Sequence, residues 1–210
     1  MKFAPEGYPF IIFFAALSGI LFWTGGLGIA LIPFLLTAFM FYFFRDPERV
    51  APEGKDIFVS PADGKIIVIR DVLESEHLHR DVKQVSIFMS PFNVHVNRVP
   101  CDGRVKNVQH VKGRFLAAYK DEASIQNEHI DMVYETQYGD LLLRQVAGFV
   151  ARRAVCRKKA GDALQRGERY GLIKFSSRFD IYLPKDAAIK VNLGDMVKAG
   201  ETVLGEIAGG

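Results

Sequence analysis

From Tyr8 to Phe44 the chain carries no charged side chain, and nothing later in its 210 residues resembles this run. One buried helix of a soluble domain rarely needs such a stretch, whereas a membrane span needs about 20 apolar residues. Lys2 would suit the charged start of a cleavable signal, but the apolar core of such a signal is only about 7–15 residues long. The run breaks at Thr24-Gly25-Gly26-Leu27-Gly28, and Pro33 follows. That leaves two apolar arms, Tyr8–Trp23 and Leu27–Phe44, each slightly short for a span. Two short helices in a hairpin are the expected form, with one long tilted span as the alternative. Lys2 precedes the run, and Arg45, Arg49 and Lys55 follow it. In a hairpin both flanks share one side, and the bias of basic residues makes that side cytoplasmic, at an inner or plasma membrane.

Hydrophobic residues make up 49% of the chain and Phe alone counts 17; much of this excess sits in the apolar run. The net charge of +3 lies wholly outside it. Arg152, Arg153, Arg157, Lys158, Lys159, Arg166 and Arg169 form a basic cluster. Such a cluster is either a solvated face or an attraction to an anionic membrane surface, where each nearby cation contributes about 1 kcal/mol. Aromatic and basic residues do not interleave as they do in nucleic-acid binders, so no nucleic-acid partner is expected. Two cysteines, Cys101 and Cys156, make no disulfide framework, and a reducing compartment fits.

Residues 1–45 are predicted as a membrane-anchoring helical hairpin, 46–56 as a charged, proline-bearing linker, and 57–210 as a β-rich domain. In the last of these, short alternating segments are punctuated by turn residues every 8–12 positions or so, which points to a mostly β barrel or sandwich. A polar piece near 117–129 reads as helical. The stretch IKVNLGDMVKAGETVLGEI, 189–207, is similar to the glycine-turned strands of lipoyl and biotinyl carrier barrels. Gly194 and Gly200 fall where tight turns make positive φ cheap. The pattern GDxxxxGE recurs 33 residues earlier, at 161–168, and suggests an internal structural duplication. A carrier would present its lysine at a hairpin tip, but Lys198 lies inside the repeated pattern.

Three polar elements stand in apolar strand contexts: Asp63 in SPADGKI, His95 in SPFNVHVNRVP, and Ser176 with Ser177 in FSSRFD. An Asp, a His and a Ser can form a proton-relay set on any fold and in any chain order. A single histidine on a strand is also a common structural residue, so the set stays open on these residues alone. His77 and His79 form an H-x-H without a cysteine partner, and no metal is expected there. The G-x-S-x-G elbow of α/β-hydrolases is absent.

Taken together, the apolar hairpin, PADG, SPFNVHVNRVP, NEH, QVAGFVARR, GERYGLIKFSSRFDIYLP and the glycine-turned end resemble the short form (type A) of phosphatidylserine decarboxylase over nearly the whole chain. The resemblance implies an enzyme that makes its own cofactor. In the family the last motif reads Gly-Ser, the chain cuts itself between the two, and the Ser becomes a pyruvoyl group. Carried over, the precursor is Ser177, with a β chain of 1–176 and an α chain of 177–210. The resemblance makes His95 the base that activates the Ser177 hydroxyl, with Asp63 behind it. The pyruvoyl group then serves as an electron sink when CO2 leaves phosphatidylserine, as PLP does elsewhere. The resemblance implies Gly148 and Phe149 as pocket lining and a homo-oligomer as the assembly; for the lipid phosphate, Arg152, Arg153 and Arg178 stay open, a guanidinium being chemically apt. An archaeal-type serine lipid shares the same head group and stays open as a substrate.

The sequence departs from the family in two places. Position 176 is Ser where the family has Gly, and a side chain there should crowd the acyl shift. That predicts slowed or blocked cutting. The second histidine of the long form is absent; Asn97 and Arg98 stand nearby instead. A rival reading is a membrane-anchored adaptor built on a lipoyl-like barrel. It predicts a C-terminus outside the cytoplasm and a coiled-coil hairpin, and no sustained heptad is present.

Overall fold

The computed structural model of the chain describes residues 2–114, 123–148, 153–175 and 177–207. Phe149, Arg152 and Ser176, singled out above, lie outside them, as does much of the piece expected to be helical near 117–129. The chain divides into two compact units, Met1–Glu48 and Arg49–Gly210.

In the first unit, α1 (Tyr8–Gly25) and α2 (Leu27–Phe43) form the expected hairpin. Gly26 makes the turn with φ +79°, a conformation closed to most side chains. Ser18 Oγ donates to Ala30 O across the hairpin at 3.2 Å. Neither helix has a polar face: Trp23 is 90% exposed, and Ile12, Phe13, Ile32 and Phe34 also point outward. The 18 residues of α1 rise about 27 Å, just short of the roughly 30 Å of a bilayer's hydrocarbon core. Among the described residues, the segment Pro5–Gly25 is long and apolar enough to cross a membrane. At the base, β1 (Lys2–Phe3) pairs antiparallel with β2 (Arg45–Asp46), and Lys2 ion-pairs with Glu48. The first unit therefore runs on to Glu48, into the stretch expected to be linker.

The second unit is mostly β. Its strands are β3 (Ile57–Val59), β4 (Gly64–Glu74), β5 (Arg80–Met89), β6 (Val96–Arg98), β7 (Gly103–Val111), β8 (His129–Thr136), β9 (Gly139–Ala147), β10 (Ala154–Cys156), β11 (Ala163–Leu164), β12 (Arg169–Ile173), β13 (Ser177–Pro184), β14 (Ala187–Ile189), β15 (Met196–Val197) and β16 (Val203–Ile207). A short helix, α3 (Ala123–Gln126), precedes β8. Eight strands form one curled sheet in the order β11-β7-β8-β9-β13-β5-β4-β15. Two three-stranded sheets, β10-β12-β6 and β14-β16-β3, complete the unit.

These orders have a pseudo-twofold symmetry that relates β6–β12 to β3–β5 plus β13–β16. The segment Val99–Val105 (VPCDGRV) is the counterpart of Ser60–Ile66 (SPADGKI). Gly194 N donates to Ile66 O and Ile66 N to Asp195 O; in the other copy Gly161 N donates to Val105 O and Val105 N to Asp162 O. The same reciprocal exchange joins Ser60 to Gly200 and Thr202, and Val99 to Gly167 and Glu168. All four turn glycines have positive φ, between +75° and +95°. The repeated GDxxxxGE thus marks a duplication of the whole β unit.

The copies differ in how they are threaded. In the continuous copy, β8 and β9 are joined by a tight hairpin through Gln137 and Tyr138, with Thr136 opposite Gly139. In the other copy the equivalent strands are β5 and β13, with Met89 opposite Ser177. Where a two-residue turn would stand, the chain leaves to build the entire second copy and then returns. Ser177 is the first strand residue after that return.

Side chains on β13 alternate as a strand requires. Phe179, Ile181 and Leu183 enter the main core with Phe58, Ile87, Leu143 and Tyr170. Tyr182 packs on the other face with Val82, Val133 and Leu142.

Candidate functional site

Ser177 opens the central strand of the curled sheet, between Met89 on β5 and Ala147 on β9. It is fully buried. Its Oγ donates to Met89 Sδ at 3.5 Å. A thioether is a weak acceptor, so the hydroxyl is sheltered from water without being held by a strong bond. Two residues upstream, Phe175 has φ +53°. That region is unfavourable for a bulky side chain, and such strain gathers at working sites.

His95 lies next to the strand that leads to Ser177. Ile173 N donates to His95 O at 3.2 Å. The preceding loop is closed by Asn93, whose Oδ1 accepts from Ser90 N and Ser90 Oγ. His95 is buried, and its Nδ1 is 2.9 Å from the Asn93 carbonyl. A carbonyl can only accept, so Nδ1 carries the proton and Nε2 is the basic nitrogen.

Asp63 has other partners than the one expected. Both its oxygens accept from the Arg49 guanidinium, and Oδ1 also accepts from Ala199 N at 2.8 Å. The group that orients His95 is the Asn93 carbonyl. The duplication gives the reason. Asp102, the counterpart of Asp63, accepts from Arg166 N at 2.7 Å, and Arg166 is the counterpart of Ala199. In both copies this aspartate fastens the turn before the second glycine.

Arg178 points to the opposite face of the sheet from Ser177. It is fully buried, with Nε donating to Asp180 Oδ1 at 2.7 Å and NH2 to Ser86 Oγ at 2.9 Å. Gly148 is buried and directly follows Ala147, the residue opposite Ser177.

Two residues that sequence reasoning did not assign lie on the Ser177 side. Asn97 and Gln145 are both buried, and Gln145 Nε2 donates to Asn97 Oδ1 at 2.8 Å. Asn97 Nδ2 in turn approaches Met89 Sδ at 4.0 Å, the same sulfur that receives Ser177 Oγ. Both replace apolar residues of the other copy, which only the pairing register brings out.

A separate polar cluster lies on the far face. Glu76, His77 and Asp131 bring one ligand atom each within 4.8 Å of one another. The Arg144 guanidinium already supplies the positive charge there, bonding Asp131 twice and Glu76 once. Burial works against its charge, but Asp131 and then Glu76 outweigh it and raise its pKa. His79 sits in a turn with φ +51°, outside this cluster. A groove of about 770 Å³ is lined by Asp56, Cys101, Arg104, Tyr138 and Arg166 among others, and neither Ser177, His95 nor Asp63 lines it.

The buried Ser177, the strained Phe175 two positions upstream and the neighbouring amides suit a group made from the chain's own serine. Such a group needs a hydroxyl able to attack its own backbone and a dry pocket around the product. Residues 36–205 match the family model described as phosphatidylserine decarboxylase. The chain is 45% identical over 203 residues to a phosphatidylserine decarboxylase proenzyme of Geotalea uraniireducens, covering 96% of this chain and 95% of the relative. The corresponding proenzyme of Citrifermentans bemidjiense is 47% identical, with 96% and 95% covered. That of Magnetococcus marinus is 44% identical, with 98% and 95% covered.

Proposed function

The chain belongs to the phosphatidylserine decarboxylase family, and from that premise we propose that it cuts itself between Ser176 and Ser177 and works as the short, type A form. The family's activity is removal of CO2 from phosphatidylserine, leaving phosphatidylethanolamine, by a proenzyme that forms a pyruvoyl group from serine. In this chain that serine is Ser177, giving pieces 1–176 and 177–210. The observation that carries the reading is the position of Ser177: buried, lightly held by a thioether, and at the strand start where the hairpin of the other copy is opened.

The chain's own residues divide the work as follows. Ser177 Oγ adds to the carbonyl carbon before it while His95 Nε2 takes the proton. The C–N bond breaks, the nitrogen regains a proton, and an ester remains. Loss of the Ser177 α-proton then expels the carboxylate of residue 176. The resulting dehydroalanine tautomerises, adds water and releases ammonia. Once formed at position 177, between Met89 and Ala147, the pyruvoyl group would supply an electron sink for the amine-bearing serine head group as CO2 leaves. The apolar walls from Met89, Ala147 and Phe179 exclude water, which favours departure of an uncharged product from a carboxylate. Asp63 contributes through the turn it fastens. Arg178 contributes through the strand it anchors, and Gly148 follows Ala147, the residue opposite Ser177.

The helical hairpin brings this domain to its lipid, with both flanks and the β domain on the cytoplasmic side. A hairpin has both its flanks on one face whether or not its arms cross fully, and the basic residues lie on those flanks. Ser176 slows the acyl shift relative to the family's Gly, because any side chain narrows the backbone conformations open at the cut. Intact mass of the purified chain, beside Ser176→Gly and Ser177→Ala versions, tests all of this. We expect the Gly version to split fastest, the chain as it stands to split more slowly, and the Ser177→Ala version to stay whole. Splitting of the Ser177→Ala version, or none in either of the others, would remove the reading.

A further inference from the structure

The two copies of the β unit act as an internal control for each other. By register, Asn97 on β6 is the counterpart of Phe58 on β3: each lies opposite a glycine, Gly171 and Gly205, beside a matching register shift. Gln145 on β9 is likewise the counterpart of Leu183 on β13, since Thr136–Gly139 matches Met89–Ser177. Phe58 and Leu183 are fully buried core residues. An apolar pair in one copy is thus an amide pair in the other, at the end of the sheet where Ser177 stands.

The orientation of these amides is set by their neighbours. Gln145 Nε2 donates to both Asn97 Oδ1 and Val155 O, at 2.8 and 3.3 Å. Reversing Asn97 would press its oxygen against Pro61 O and its nitrogen against Gln145 Nε2. Its Nδ2 therefore faces Pro61 O at 3.5 Å and Met89 Sδ at 4.0 Å. Both contacts are at the limit of a hydrogen bond, so a buried amide donor is poorly used beside the partner of Ser177 Oγ. Gln145 is 1% exposed, and its own Oε1 has no hydrogen-bond partner. Buried polar groups are normally satisfied, so this pair is not explained by stability.

We propose that Asn97 is the oxyanion donor of the self-cutting step and that Gln145 is the residue that positions it. This rests on the reading of Ser177 given above. When Ser177 Oγ adds to the preceding carbonyl, negative charge develops on the carbonyl oxygen. An Asn97 N–H that exchanges a thioether for that oxygen strengthens as the charge grows, and so lowers the barrier. Collapse returns the charge to the departing nitrogen, which takes the proton held by His95.

The acyl shift can be read without the finished enzyme. Hydroxylamine attacks the ester carbonyl, Ser177 Oγ leaves as a free hydroxyl, and a hydroxamate ends the first piece. The experiment follows hydroxylamine-dependent splitting by intact mass, in the chain as it stands and in its Ser176→Gly form. Asn97→Asp and Gln145→Leu are then added to each. Thermal unfolding is recorded for every protein. Losing one oxyanion donor costs about 100-fold or more in rate, so Asn97→Asp should split about 100-fold slower than its parent at pH 8. Its deficit relative to the parent should shrink as pH falls, because the protonated carboxyl again offers a donor. Gln145→Leu, which copies Leu183, should keep the fold and slow splitting about 10-fold at every pH. The inference is overturned if Asn97→Asp splits within threefold of its parent, or if its deficit is the same at every pH. It is equally overturned if Gln145→Leu folds and splits like its parent. If neither parent gives hydroxylamine fragments, the reading of Ser177 itself fails and takes this inference with it.

Discussion

At the closed hairpin, Phe58 meets Tyr138 edge-on with ring centroids 5.2 Å apart. At the opened one, the equivalent position is Asn97, and it looks toward Met89 and the hydroxyl of Ser177. The two ends share strands, turns and aspartates. They differ where the chain has been opened and where apolar side chains have become amides. A duplicated fold separates what the scaffold requires from what chemistry requires: features present twice serve the scaffold, and features present once are candidates for the site. By that criterion Asp63 groups with Asp102, whereas His95, Asn97, Gln145 and Ser177 are the candidates for the site.

The largest effect should come from Ser177→Ala. Self-cutting should fall below detection on an intact-mass assay while the melting transition stays within a few degrees of the parent. A whole chain that has also lost its fold would blur the distinction between scaffold and site.

Next comes the exchange at positions 58 and 97. Phe58→Ala should cost about 3–5 kcal/mol in denaturant unfolding. Asn97→Ala should cost about 1–2 kcal/mol, as loss of one buried hydrogen bond does, but should slow cutting far more than Phe58→Ala in whatever fraction remains folded. Equal stability losses would break the comparison.

The aspartates give a third contrast. Asp63 is in a nearly buried pair with Arg49, whose side chain is 7% exposed. Asp63→Asn takes away the carboxylate that holds that guanidinium by both oxygens, Glu201 being 4.0 Å from it, and should cost about 3 kcal/mol. Asp102 is exposed, and Asp102→Asn should change stability by about 0.5 kcal/mol or less. If Asp63→Asn kept full stability and still stopped cutting, the aspartate would return to the proton relay behind His95.

The smallest effect concerns Cys101, the counterpart of Ala62. Burial pushes its thiol up to about 12, with the Tyr134 hydroxyl pulling slightly the other way. The thiolate is the reactive form, so Cys101 should resist iodoacetamide at pH 8 until the protein unfolds. Cys156, half-buried, should label first. Rapid labelling of native Cys101 would show that this part of the core opens easily.

Much of this was legible in the residues. The helical hairpin follows from an uncharged run broken by glycines, and the turn pattern of 161–168 and 194–201 foretold the duplication. FSSRFD drew attention to Ser177, the residue that opens β13. The role of Asp63 was not legible, because PADG reads alike whether its aspartate relays protons or fastens a turn. Its partners, Arg49 and Ala199, are far away along the chain. The exclusion of Arg178 from the Ser177 face was available in principle. Phe179, Ile181 and Leu183 alternate with Arg178, Asp180 and Tyr182, and one face cannot hold both sets. Asn97 and Gln145 needed the pairing register, since only register tells which residue of one copy answers to which of the other.

The position of β13 has a further consequence. The strand is embedded, paired along one edge with β5 and along the other with β9. A cut before Ser177 would therefore leave the strands between Ser177 and Ile207 woven into the sheets they were made in. No fresh small chain can be fitted into an old large one without dismantling the centre of the fold. Each copy is thus loaded once, at its own maturation. If its reactive group is later spoiled, the cell has no spare part to supply and must build the whole protein again.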